Sequence, residues 1–245
     1  MPQIKAVVTD FIGTLTNARF YTMEASMAKL HAWLSEAGFN ADEKQFMEAY
    51  AKAHEKYRLI RYGELQEVTN AVWVAETLCN LGFKVEADDP RMRAALNVFF
   101  KDYVDSLESR QFAKELLGKA KENYKLGLIS NFTYAPVVHC SLRKLGVSRF
   151  FNVVLVSGDC GWRKPHSNIF TNILKRLQVE AQETIYIGDC PSEDIKGARQ
   201  AGMRTVFVQS QFYSISDLQA SKEKPDFVMK DLEEIYRNFS KIVKC

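Results

Sequence analysis

Four short stretches hold the residues that can do chemistry. Ala6-Val7-Val8-Thr9-Asp10-Phe11-Ile12-Gly13-Thr14-Leu15-Thr16 puts a carboxylate directly after a β-branched apolar run, and a glycine turn directly after the carboxylate. Leu126-Gly127-Leu128-Ile129 ends in Ser130-Asn131. Lys164 follows the run that ends at Val156, and Ile185-Tyr186-Ile187 ends in Gly188-Asp189, with Asp194 one turn further on. A carboxylate can be a nucleophile or a metal ligand, a hydroxyl can hold an anion, a lysine can neutralise one, and paired carboxylates suit a hard cation. Each residue alone also has a plainer reading. Asp10 can be a turn or helix-capping aspartate, Ser130 a turn hydroxyl, Lys164 a solvated loop lysine, and Asp194 a first-turn helix carboxylate. Their joint occurrence at strand ends is what points to one site.

The elements around these residues explain how they could meet. Short β-branched runs bounded by turn residues predict strands over 4–8, 126–129, 151–156, 184–187, 205–208 and 227–229. Helical patterns fall between the later strands, over 111–124, 135–145, 168–177 and 193–201, with a last helix over 231–242. Strands alternating with helices argue an α/β domain with a parallel sheet covered on both faces. In such sheets, ligands bind at the carboxyl ends of the strands. Between the first strand and the rest lies a segment with helical periodicity only. Met23, Met27, Leu30 and Leu34 define one helix face, and further helices are predicted over 42–57, 64–81 and 90–107. The expected organisation is therefore an α/β core from residues 1–17 and 107–245, interrupted by an inserted helical domain over 18–106.

Bulk properties exclude several function classes. The 245 residues carry 33 basic and 30 acidic side chains, a balance that gives no argument for nucleic acid. No apolar run approaches the roughly 18 residues of a membrane span. The chain enters its first strand almost at once, so no signal peptide is expected. Cys79, Cys140, Cys160, Cys190 and Cys245 are odd in number and lack metal-type spacing, which reads as reduced thiols in a cytoplasmic protein rather than a zinc site. His31, His54, His139 and His166 do not cluster.

Taken in order, the four stretches resemble the motifs of the haloacid dehalogenase-like hydrolase superfamily. Residues 7–15 match its first motif and 126–131 its second. Lys164-Pro165-His166-Ser167-Asn168-Ile169-Phe170 matches the third, and 185–198 the fourth, so that the resemblance spans nearly the whole chain. It implies a Rossmann-like core in which Asp10 attacks the substrate and forms a covalent aspartyl intermediate that water hydrolyses. It implies that Lys164 offsets the charge of Asp10 and of the transferred group, and that Ser130 donates to that group with Asn131 beside it. Thr14 is implied on the substrate side. Asp10, the backbone carbonyl of Ile12, Asp189 and Asp194 are implied as Mg²⁺ ligands. The helical insertion is implied to be a cap that selects a small-molecule substrate, in a monomer or homodimer.

One departure bears on the reaction. Most phosphatases of this superfamily carry a second aspartate two residues after the nucleophile, as general acid and then general base; here that position is Ile12. Haloacid dehalogenases also lack it, because halide leaves unaided. Phosphonatases lack it too and use a cap lysine, but no single lysine of the insertion stands out. The acidic pair Asp189 and Asp194 favours the metal-using branches, hence a Mg²⁺-dependent phosphatase of a small phosphorylated metabolite. A metal-independent 2-haloacid dehalogenase and a catalytically weak protein that binds a phosphorylated ligand or a partner remain as alternatives. In the insertion, Arg58, Arg61 and Tyr62 are expected between two helices as an anion-reading cluster, against the plainer reading of a solvated helix end.

Overall fold

The computed structural model describes residues 2–244. Cys245, read above with the other thiols as reduced, lies outside them; Cys79, Cys140, Cys160 and Cys190 are free. In chain order the elements are β1 (Ala6–Thr9), β2 (Thr16–Ala18), α1 (Met23–Glu36), α2 (Glu43–Gly63), α3 (Asn70–Asn80), α4 (Pro90–Ser106), β3 (Leu107–Ser109), α5 (Ala113–Lys121), β4 (Lys125–Ser130), α6 (Ala135–Lys144), β5 (Val153–Val156), α7 (Ser157–Cys160), α8 (Ser167–Leu177), β6 (Thr184–Gly188), a π-turn (Pro191–Ile195), α9 (Lys196–Gln200), β7 (Arg204–Val208), α10 (Ile215–Ala220), β8 (Phe227–Met229) and α11 (Leu232–Lys244). The chain divides into two compact units. One joins the residues up to Arg19 with those from Leu107 onward, and the other is Phe20–Ser106.

In the first unit, six strands form a parallel sheet in the order β5-β4-β1-β6-β7-β8. β1 lies in the middle, with Thr9 opposite Leu128 of β4 and Ile187 of β6. The two-residue period of a strand sorts its side chains to the two faces. Val7, Leu126, Leu128, Ile185, Ile187, Val206 and Val208 join the cluster that includes Leu116 and Leu117 of α5, Val138 of α6 and Phe239 of α11. Ala6, Val8, Ile129 and Tyr186 face Ile169, Phe170, Ile173 and Leu177 of α8. Gly127 is the exception that proves close packing: a Cβ there would lie 3.0 Å from Leu177 and 3.1 Å from Ile173. Helices on both faces leave the carboxyl ends of the strands as the open edge of the sheet.

The second unit is built from α1 to α4, with α1 packed on α4 and α2 on α3. Leu30 and Leu34 of α1, Phe46 of α2, Trp73 and Leu78 of α3, and Leu96 and Phe99 of α4 are buried. Asp42 caps α2 by accepting from the Gln45 amide at 3.0 Å. Two expectations shift here. α2 runs to Gly63 rather than stopping near Tyr57, because residues 58–62 hold no helix breaker. α3 begins only at Asn70, since Leu65 adopts φ +56 and residues 64–69 form the connection. Arg58, Arg61 and Tyr62 therefore lie in the last turns of α2, not between helices. The antiparallel ribbon β2–β3 was absent from the sequence pattern, because three residues per strand are too few to show alternation. No helix among the described residues is long and apolar enough to cross a membrane.

Candidate active site

β1 delivers Asp10 to the carboxyl edge of the sheet, where its amide donates to the Ile187 carbonyl at 2.9 Å. The chain then turns sharply, with the Leu15 amide on the Phe11 carbonyl at 2.9 Å and the Gly13 amide on the Thr16 carbonyl at 3.0 Å. Gly13 has φ +97, and a Cβ there would sit 2.3 Å from Asp189 Oδ2, so only glycine lets this turn lie against the second carboxylate. Ile12 packs its side chain against the apolar cluster beside β1.

The loop after α7 brings in Lys164, which is 2% exposed. Its Nζ donates to Asp10 Oδ1 at 2.7 Å and to Asp194 Oδ1 at 2.6 Å, with the Tyr186 hydroxyl at 3.2 Å and the Ile129 carbonyl at 3.3 Å. Asn131 fixes the backbone of that lysine on both sides. Its Oδ1 accepts from the Lys164 amide at 2.8 Å, and its Nδ2 donates to the Lys164 carbonyl at 3.0 Å and to Glu193 Oε2 at 2.9 Å. Arg163 pairs with the other Glu193 oxygen at 3.0 Å. Ser130 closes β4 opposite Val156 and is buried.

The two later carboxylates are held differently. Asp194 accepts from Lys164, from the Tyr186 hydroxyl at 2.9 Å and from the Cys190 amide at 3.0 Å, so both its oxygens have protein donors. Asp189 accepts from the Thr14 hydroxyl at 3.0 Å and from the Ser210 hydroxyl at 2.6 Å. Asp10, by contrast, keeps Oδ2 buried without a hydrogen-bond partner among the described residues. Carboxylate oxygens of Asp10, Asp189 and Asp194 all lie within 4.8 Å of one another.

Burial and mutual repulsion set the protonation of this cluster. Burial raises the Asp10 carboxyl to about 6; Lys164 opposes that rise and Asp194 adds to it. Burial, then the neighbouring Asp10 and Asp194, raises Asp189 to about 8, against the two hydroxyl donors. Burial works against the charge on Lys164, but Asp10 and Asp194 outweigh it and hold the ammonium well above its usual range. Three buried carboxylates facing one ammonium leave negative charge uncompensated when all are ionised. An all-oxygen donor set with an unpartnered oxygen and excess negative charge fits a hard cation.

The structure thus brings Asp10, Lys164, Asp189, Asp194, Asn131 and Ser130 to one edge of the sheet. Thr14 is there too, but its hydroxyl is spent on Asp189. Arg58 and Arg61 belong to the other unit. Arg58 pairs with both oxygens of Glu55, at 2.6 and 2.8 Å, and Arg61 pairs with buried Glu67 at 2.5 Å and stacks over Trp73. Tyr186, Glu193 and Ser210 escaped the sequence reading. Tyr186 had one available signal: its hydroxyl stands between Ile185 and Ile187 in the middle of a buried central strand.

Residues 7–208 match the family model of the haloacid dehalogenase-like hydrolases. The chain belongs to that family. Among members, glyceraldehyde 3-phosphate phosphatase of Methanopyrus kandleri is 29% identical over 97% of this chain and 99% of its own length. Ribulose-1,5-bisphosphate 5-phosphatase of Halopiger xanaduensis is 25% identical, over 82% of this chain and 84% of its own. The crystal structure of 2-haloacid dehalogenase from Pseudomonas syringae pv. tomato superposes with a TM-score of 0.70 over 97% of this chain and 99% of that one. At 21% identity, this likeness concerns the fold of the haloacid dehalogenase-like hydrolases and not the reaction.

Proposed function

We propose that this hydrolase is a cytosolic, Mg²⁺-dependent phosphatase of a small phosphorylated metabolite. The observation that carries the reading is Asp10: one carboxylate oxygen is pinned by Lys164 and the other is buried and unpartnered beside two more carboxylates. A nucleophile needs one oxygen held and one oxygen available. The full-length relatives named as phosphatases of small sugar phosphates support the same substrate class.

In this mechanism an Asp10 carboxylate oxygen attacks phosphorus as the bond from phosphorus to the leaving oxygen breaks, giving an aspartyl-phosphate and an alkoxide or phenoxide that takes its proton from solvent. Water then attacks the same phosphorus, releasing inorganic phosphate and restoring Asp10. Lys164, held by Asn131 through its backbone and by Asp194 through its ammonium, stays fixed as negative charge gathers on the phosphoryl oxygens. Ser130 lies beside Asn131 as a donor to those oxygens. Asp10 and Asp189, with the Ile12 carbonyl and Asp194, would hold Mg²⁺; when bound, it supplies the positive charge that lets an anionic carboxylate meet an anionic phosphoryl group. Arg58 and Arg61, each paired with a glutamate within the helical unit, are candidate anion-binding residues of that unit.

Ile12 favours a second reading, 2-haloacid dehalogenation by the same nucleophile, since a departing halide needs no proton donor. That reading leaves the carboxylate cluster without a task. One paired assay separates the two: phosphate release from p-nitrophenyl phosphate with Mg²⁺ or with chelator, and halide release from a 2-haloacid. Phosphate release abolished by chelator is expected. Halide release indifferent to chelator would replace the proposal.

A further inference from the structure

We infer that Ser210 is a positioning residue for Asp189, and that Arg110 ties together the two loops that orient this carboxylate. The inference rests on the Mg²⁺ reading of the acidic cluster.

A serine hydroxyl has one proton to donate and two lone pairs to accept with. In Ser210, the amides of Phe212 and Tyr213 donate to Oγ at 3.0 and 3.1 Å, filling the acceptor side. The proton is left for Asp189 Oδ2, 2.6 Å away. On the opposite side of the carboxylate, Thr14 donates to Oδ1 at 3.0 Å. Asp189 is therefore held by one hydroxyl on each oxygen. One comes from the turn after β1, the other from the loop after β7.

The side chain of Arg110 bridges those two loops. Arg110 Nη1 donates to the carbonyls of Gly13 at 2.6 Å and Thr14 at 3.2 Å, and Nη2 donates to the carbonyl of Gln209 at 2.7 Å. Its own amide donates to the Leu15 carbonyl at 2.9 Å. The planar guanidinium thus sets the distance between the residue before Ser210 and the turn that carries Thr14. Neither Ser210 nor Arg110 touches the reacting atoms; both act through the orientation of Asp189. The Ser210 loop is further anchored by its amide on the Tyr213 carbonyl at 2.9 Å.

Partners behind a metal ligand commonly change affinity by about 10–100-fold when removed. Calorimetric Mg²⁺ titration of the intact protein, well below its unfolding temperature, tests the assignment. Ser210→Ala should weaken Mg²⁺ by about 10-fold, and Ser210→Thr, which keeps the hydroxyl, should stay within about 3-fold of wild type. Arg110→Met should weaken Mg²⁺ as well, through both loops. A side chain that merely supports the fold would lower the unfolding temperature and leave the Mg²⁺ affinity of the folded protein alone. Wild-type affinity in Ser210→Ala, or a threonine variant as weak as the alanine one, overturns the inference while the phosphatase reading stands. A wild-type protein that takes no Mg²⁺ at all removes both.

Discussion

Asp10 and Ile12 sit two residues apart and pull the chemistry in different directions. Asp10 has what a nucleophile needs, but Ile12 packs on the apolar cluster and can neither protonate a leaving oxygen nor deprotonate water. General acid–base assistance is worth about 10²–10⁴-fold, so its absence at this position should show as a steep dependence on the leaving group. The expected outcome is a kcat/KM for an aryl phosphate about 10²-fold or more above that for a simple alkyl phosphate, with Ile12→Asp narrowing the gap. Equal rates on both substrates would mean that another group supplies the proton. The grouping of Asp10, Lys164, Asp189 and Asp194 was legible in the sequence because Asp10 and Asp189 directly follow strands, while Lys164 and Asp194 lie in recognisable stretches a few residues beyond them. Ser210 was not, because nothing in Val208-Gln209-Ser210 distinguishes a hydroxyl aimed at a carboxylate from one in an ordinary loop. Arg110 was hidden likewise: its targets are three backbone carbonyls, which have no sequence signature.

At the level of elements, the π-turn and α9 owe their placement to small residues. A Cβ on Gly188 would lie 2.5 Å from Asp194 Cβ and Cγ, so the end of β6 can approach that carboxylate only as glycine. Gly188→Ala should cost about 1–3 kcal/mol, by overpacking, and should depress activity by shifting Asp194 off Lys164. Gly118, inside α5, meets nothing nearer than Phe150 at 4.0 Å; alanine there should add about 0.5–1 kcal/mol by the usual helix preference. Urea denaturation of both variants checks the contrast, and similar effects of opposite sign to these would contradict the packing argument. The six long-sheet strands were legible because β-branched runs end in turn residues. The last turn of α2, the late start of α3 and the β2–β3 ribbon were not, since no stop signal precedes Gly63, the positive-φ turn residue Leu65 is not a glycine, and three-residue strands show no alternation.

For the whole molecule, the balanced charge of +3 says little about stability, whereas the buried cluster says a good deal. Asp10 at about 6 and Asp189 at about 8 both lie above their ordinary carboxyl value of 3.8. The folded state then binds protons more tightly than the unfolded state. The stabilisation is fully present below about pH 4 and is lost as pH rises through 6 and then 8. Metal-free protein should therefore unfold at a lower temperature at pH 8.5 than at pH 5.5. Saturating Mg²⁺ should raise the unfolding temperature at the alkaline end by more than at the acid end, because binding favours the ionised carboxylates. Thermal scans with chelator and with Mg²⁺ measure this directly, and a metal-free unfolding temperature that rises between those two pH values would refute the electrostatic account. The hydrophobic period switches in the sequence at residue 18 and back after residue 106, and the chain divides between Arg19 and Phe20 and between Ser106 and Leu107.

The central claim is that phosphoryl transfer passes through Asp10. Without a base at Ile12 to activate water, hydrolysis of the aspartyl-phosphate should lag its formation, so the intermediate should accumulate and the first turnover should appear as a burst. Acid quenching of the Mg²⁺-loaded enzyme during turnover of p-nitrophenyl phosphate, followed by mass analysis of the peptide containing Asp10, reads this in one experiment. The expected result is one phosphoryl group on Asp10 together with a stoichiometric burst of p-nitrophenol. Turnover with Asp10 unmodified, and undiminished in Asp10→Asn, would contradict it.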